Sequence, residues 1–148
     1  MPLHRLLYTS KANLPPSHAD VGARIRAIAE QSARRNSEAG ITGILIFVED
    51  EFIQVLEGEL PAVESTFERI CCSFDHRQLR IVDLVRVEER LFAEWGMTLL
   101  TADAEASVAL RDDLQEIRFM MGMNARAATN LMRKCLKIHA IKEKAVAA

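Results

Sequence analysis

Apolar positions along the chain change period several times, and each change marks an element. LHRLLYTS (3–10) is a short apolar segment that ends in polar residues and then in the turn-rich KANLPPSHAD, which predicts a first strand. From about Ala19 to Glu38 the positions Val21, Ile25, Ile28, Ser32 and Asn36 recur at spacings of three and four, with Arg24, Arg26, Arg34 and Arg35 elsewhere on the cylinder. That spacing predicts a helix, and Gly40 stands where its C-terminus should end. TGILIFV (42–48) and EFIQVLEG (51–58) predict two strands separated by Glu49 and Asp50, close enough for an antiparallel hairpin. LPAVESTFERICCSF predicts a second helix: Pro61 suits a first helical position, and Val63, Phe67, Ile70, Cys71 and Phe74 form one stripe. LRIVDLVRV (79–87) alternates as a strand, and a shorter strand is expected near Trp95 to Leu100. Leu110, Leu114, Ile117 and Met121 then mark a third helix. Leu131, Cys135 and Ile138 mark a fourth, after the Gly122–Asn124 break.

The order β-α-β-β-α-β-β followed by two helices predicts an α+β fold. Its first six elements match the ferredoxin-like βαββαβ pattern, to which the fifth strand is added. Right-handed crossovers place the first and third strands side by side at the centre of the sheet, with helices one and two on one face. The other face, lined by Leu3, Leu7, Ile53 and Val55, would be left apolar and bare. The two C-terminal helices are expected to cover it, which divides the chain into residues 1–101 and a helical extension over 102–148.

One residue breaks the apolar run of the third strand. Gln54 sits between Ile53 and Val55 with an amide that brings two donors and an acceptor. Strand alternation puts Phe52, Gln54 and Leu56 on one face, and Leu6 with Tyr8 on one face of the first strand. If both sets share the helix side, Tyr8 and Gln54 are neighbours, and the Asn36 stripe of the first helix looks down on them. Taken singly, each has a bland structural explanation, since buried polar groups are usually hydrogen-bonded parts of a core. Together, a phenol and two carboxamides without an acid, base or nucleophile suit a flat heteroaromatic ligand better than hydrolysis.

Composition narrows the classes further. The chain has 148 residues, one domain's worth, with a formal net charge of −2, so no positive field draws it to nucleic acid or acidic lipid. No apolar run approaches the roughly 18–20 residues of a membrane span, and MPLHRLLYTS lacks the apolar segment of a signal peptide, so a cytoplasmic location is expected. Cys71, Cys72 and Cys135 are odd in number and lack C-x-x-C spacing, which argues against a disulfide framework or a zinc site and for reduced cysteines in helix cores. No metal is expected.

LLYTS, RRNSEAGITGILIF, EFIQVLEGE and LFAEWGM, in this order, resemble the segments of BLUF domains, the sensors of blue light using FAD, over about residues 3–101. The N-x-x-x-G-I-T-G and F-x-Q-x-L-E-G pieces are the distinctive ones, and the C-terminal helix pair is similar to the layout of the short stand-alone members. The resemblance implies a non-enzymatic photoreceptor that holds FAD non-covalently, with FMN or riboflavin as alternatives. It implies that Tyr8 is the photoactive tyrosine, passing an electron and proton to the flavin, and that Gln54 switches its hydrogen bonds. Asn36 would bond the isoalloxazine edge, and Ile28 and Ser32 would lie against the ring. Trp95 and Met97 match the fifth-strand residues implicated in signalling. Relatives often carry an Arg-His pair near the phosphates, where this chain reads Asp75-His76-Arg77; His76 aligns and the arginine is displaced to Arg77. With no effector domain here, output is expected through a separate downstream signalling protein and homo-oligomers. Two other classes stay open: a light-insensitive ligand- or protein-binding module, and a small ferredoxin-fold enzyme.

Overall fold

A computed structural model describes residues 2–13, 18–73, 76–101 and 106–147, the side chains of 18–20 and 140–147 excepted. Its elements are β1 (Leu3–Ala12), α1 (His18–Ala39), β2 (Thr42–Val48), β3 (Glu51–Glu59), α2 (Leu60–Cys71), β4 (His76–Val87), β5 (Thr98–Thr101), α3 (Val108–Met121) and α4 (Ala125–Ala147). The five strands form one sheet in the order β4-β1-β3-β2-β5. All neighbours are antiparallel except β2 and β5. This is the ferredoxin-like arrangement, with β1 and β3 central and β5 added beside β2.

Local chemistry explains the joints. Glu49 and Asp50 have φ of 47° and 64°, so the two-residue β2–β3 connection has the left-handed backbone that matches strand twist. Gly40, at φ 72°, ends α1, and the Ile41 amide donates to the Asn36 carbonyl at 2.7 Å. Gly43 is needed for space: a Cβ there would lie 1.9 Å from the Val55 carbonyl oxygen. Ser107 caps α3, its Oγ accepting from the Leu110 amide at 3.1 Å, and Asn124 Oδ1 accepts from the Ala127 amide at 3.1 Å to start α4.

Alternation divides the strands between two cores. Leu6, Tyr8, Leu45, Phe52 and Leu56 pack with Ile25 and Ala29 of α1 and Val63 of α2. Leu7, Ile44, Ile46, Ile53 and Val55 pack with Leu114, Ile117 and Met121 of α3 and Met132 and Leu136 of α4. Burying each such side chain contributes about 1.5–3 kcal/mol, so the helix pair is an integral layer. Leu3, expected on the same apolar face, is only half-buried.

Four expectations need correction. Trp95 precedes β5 rather than starting it: its amide closes a turn onto the Phe92 carbonyl at 3.0 Å, and pairing with β2 begins only at Thr98. Cys71 and Cys72 are exposed because α2 ends there, past the packed part of its stripe at Val63, Phe67 and Ile70; Cys135 alone is buried, and all three are free. Ile138 is 43% exposed, since the buried stripe of α4 runs through Ala128, Met132, Cys135 and Leu136. Arg35, placed away from the functional face of α1, lies on a cleft described below. Phe74 of the second-helix stripe lies outside the described residues, and the 101/102 boundary adjoins residues 102–105, which are also outside them.

Candidate functional site

The register of the central strands builds the site. Tyr8 and Gln54 are direct partners across the β1–β3 ladder, so alternation turns both to the α1/α2 side. The Tyr8 hydroxyl donates to Gln54 Oε1. Gln54 Nε2 donates to Met97 Sδ at 3.2 Å, a weak acceptor. Tyr8 is fully buried with its ring edge-on to Phe67, centroids 5.2 Å apart. Burial, with a smaller push from Cys71, raises the phenol well above its ordinary pKa, so Tyr8 stays neutral throughout the physiological range.

Above this floor, α1 and α2 flank a cleft of about 80 Å³ lined by Ile28, Ser32, Asn36, Thr66, Ile70 and His76, with Arg35 and Arg69 among its remaining residues. Asn36 is buried at 2% exposure and Thr66 at 3%, and among the described residues Asn36 Nδ2 and Thr66 Oγ1 have no hydrogen-bond partner. A buried donor left unpaired costs about 1–3 kcal/mol, so both atoms mark a place where a ligand's polar edge would be welcome. His76 closes one end: its Nδ1 lies 2.7 Å from Ser10 Oγ, and its ring tilts over Phe52 at a centroid distance of 4.6 Å.

Ile28, Ser32, Asn36 and His76 therefore share one cleft, and Tyr8, Gln54 and Met97 form one hydrogen-bonded chain in the core beside it. Arg77 is not brought there. His76 pairs with Ala12, on the α1/α2 side of β1, whereas Arg77 pairs with Lys11, which alternation turns to the other face. Gln78, at φ 52°, is the extra residue of a bulge that follows, between the pairs Lys11–Arg77 and Thr9–Arg80. The cations at the cleft are instead Arg35 and Arg69, neighbours of Asn36 and of Thr66 on their helices. Their spacing from Gln31, Ser32 and Ile70 carried that signal.

Trp95 and Met97 separate to opposite sides of the sheet. Met97 belongs to the α1/α2 core and Trp95 to the α3/α4 core. The Trp95 carbonyl accepts from the Gly43 amide at 3.0 Å, which holds this segment against β2. A residue the sequence reading passed over fixes the approach. Glu57, fully buried, accepts from the Leu91 amide at 2.8 Å, the Phe92 amide at 2.7 Å and Arg5 Nε at 2.8 Å. Only its place in the E-G pair after Gln54 hinted at this.

The chain matches the protein-family model described as sensors of blue-light using FAD over residues 3–98. It is 33% identical over 117 residues to the photoactivated adenylate cyclase subunit beta of Euglena gracilis, covering 78% of this chain and 13% of that protein. It therefore spans about an eighth of that relative's length. Among solved structures, one described as BlrB, a BLUF protein in its dark state, superposes with a TM-score of 0.67 at 25% identity, covering 91% of this chain and 95% of the other. The ground state of BlsA superposes with a TM-score of 0.64 at 24% identity, covering 95% and 86%, and shares the fold.

Proposed function

Because the chain belongs to the BLUF family of blue-light flavin sensors, we propose that it senses blue light through FAD held non-covalently in the α1/α2 cleft, with Tyr8 and Gln54 as its switch. The observation that carries this reading is the direct pairing of Tyr8 with Gln54 beside a cleft lined by two buried donors, on Asn36 and Thr66, that lack partners among the described residues.

These residues fit a flavin. Asn36 Nδ2 suits a ring carbonyl, Ile28 and Ile70 offer apolar contacts to a flat ring, and Arg35 and Arg69 suit phosphates better than the displaced Arg77 does. The cleft is narrower than the about 300–1,000 Å³ of pockets that enclose whole ligands, so seating a tricycle requires side chains at its mouth to swing aside. FMN or riboflavin would use the same floor and differ at the arginines.

Bound flavin supplies the blue absorption and, once excited, a strong oxidant. Tyr8 is the donor: a neutral phenol in a dry core gives up an electron together with its proton, since separating charge there is costly. Gln54 Oε1 already accepts the hydroxyl's hydrogen bond, so it would take up that proton while an Nε2 proton left toward the flavin with the electron, and the side chain would carry no net charge. On return, Gln54 is left reoriented, with Nε2 toward the Tyr8 oxygen and its contact to Met97 Sδ exchanged. An amide rewires a network this way without moving net charge. The change passes from Met97 through Gly96 to Trp95 and the α3/α4 layer, residues 102–148 being the output element. Output is by association, with a separate downstream signalling protein or a second copy of this chain, and no chemical reaction is catalysed.

The test is the absorption spectrum of purified protein before and after blue light. A yellow protein with a reversible red shift is expected, and Tyr8→Phe and Gln54→Leu should each abolish the shift while the protein stays yellow. A colourless protein that takes up no added flavin would defeat the proposal, and a shift that persists in both variants would remove the switch.

A further inference from the structure

Outside the light-sensing site, the helix pair brings together three side chains whose chemistry is unlike their surroundings. Cys135 and His139 stand four residues apart on α4, one turn along a common face, and Asp113 faces them from α3. One ligand atom from each lies within 4.8 Å of the other two, and His139 Nε2 is 3.0 Å from Asp113 Oδ2. Cys135 is 3% exposed and His139 7%, whereas the Asp113 side chain is 39% exposed, so the cluster is backed by core and open on one side.

We propose that Asp113, Cys135 and His139 form a zinc-binding site that joins α3 to α4, with water as the fourth ligand. The donor set selects this class of ion. A thiolate and an imidazole suit Zn2+ and its transition-metal neighbours, while Mg2+ and Ca2+ demand shells of oxygen. Bond lengths of about 2.3 Å to sulfur and about 2.0–2.1 Å to nitrogen and oxygen put tetrahedral ligand atoms about 3.3–3.6 Å apart. The Cys135 sulfur needs to draw in by a little over an ångström at most, and the His139–Asp113 pair, at 3.0 Å, to open slightly, both within reach of side-chain rotation. The open side beside Asp113 admits the ion and its water.

Coordination balances simply. Sγ of Cys135 loses its proton to solvent, His139 binds as neutral imidazole, and the Asp113 carboxylate binds through one oxygen, so complexation is coupled to release of the thiol proton. Without an ion, burial and then the Asp113 charge push the Cys135 thiol up to about 12, so the uncomplexed site holds a neutral thiol and is not primed as a nucleophile. A cation reverses that preference. The consequence is mechanical: α3 and α4 touch the core that contains Trp95, and an ion clamping them would stiffen the layer that receives the light signal.

The experiment uses the full chain in the dark, stripped with a chelator, with Zn2+ as titrant and Co2+ as spectroscopic probe. Expected are one Zn2+ per chain, the long-wavelength bands of tetrahedral Co2+ beyond flavin absorption, and a melting temperature raised by about 5 °C or more when Zn2+ exceeds its dissociation constant about 100-fold. Cys135→Ser and His139→Gln should each weaken binding more than about 100-fold, beyond the 10–100-fold lost with an outer-shell partner. His4→Gln, on β1, should leave it unchanged. Asp113→Asn, at the most exposed of the three positions, keeps the question decidable if the buried substitutions impair folding, and must also weaken binding. No heat, no Co2+ bands and no melting shift would overturn the site, leaving a His–Asp hydrogen bond beside a core cysteine; so would Zn2+ affinity that survives Cys135→Ser or Asp113→Asn in folded protein. Every readout is independent of flavin and light.

Discussion

The two faces of the central strands are built from alternate residues of the same segments, yet they carry opposite chemistry. On the α1/α2 face Tyr8, Ser10, Asn36, Gln54 and Thr66 are all buried, and two of them keep unpaired polar atoms. On the α3/α4 face Leu7, Ile44, Ile46, Val48, Ile53 and Val55 form an apolar centre, and the buried carboxylate at its margin, Glu57, is paired with Arg5. An unpaired buried donor costs about 1–3 kcal/mol, so two such groups beside one cleft, facing away from the apolar centre of the other layer, separate a binding face from a structural one. Met97 and Trp95, either side of Gly96, are the link between them.

Deleting the structural layer should have the largest effect. Truncation after Thr101 uncovers at least five aliphatic side chains, each contributing about 1.5–3 kcal/mol when buried, and the product should retain flavin but aggregate. Size-exclusion chromatography reads this, and a soluble monomer would make the two faces less different than they look. Next, Glu57→Gln removes the charge that pairs with Arg5 and weakens the acceptor for Leu91 and Phe92, with an expected loss of about 3 kcal/mol in urea unfolding. Because Glu57 positions the chain leading to both Trp95 and Met97, it should disturb both faces.

Single-face substitutions should be milder. Met97→Leu keeps volume and should cost less than about 1.5 kcal/mol, yet change the flavin spectrum or dark recovery because Gln54 loses its sulfur partner. Trp95→Phe should cost a comparable amount and leave the dark spectrum untouched; a spectral change there would break the division. The smallest effect is alkaline. Tyr8 has a raised pKa in the folded state, so its contribution is complete below the unfolded value of 10.0 and is lost as pH rises above it. The slope is at most about 1.4 kcal/mol per pH unit, and Tyr8→Phe should flatten it.

The strand faces were legible because a period of two leaves no freedom once the strand order is known: Tyr8, Gln54, Leu7 and Val55 fall where alternation sends them. Side chains that act across elements were not. Whether Arg35 or Arg77 meets a cleft depends on the angle between α1 and α2 and on which residue of β4 pairs with Lys11. Trp95 read as strand because nothing local shows that Glu57, 35 residues before Phe92, anchors the Leu91 and Phe92 amides, from which a turn takes up the Trp95 amide. Asp113 and Cys135, likewise, become neighbours only when the break at Gly122 folds α4 back on α3.

The chain contains one tyrosine and one tryptophan, and they lie on opposite sides of a single sheet. Nature has thus installed two optical labels, one per layer. Ultraviolet Raman or fluorescence transients at tyrosine wavelengths report the floor of the cleft, those at tryptophan wavelengths report the helical cover, and the delay between them times the crossing of the sheet without any added dye.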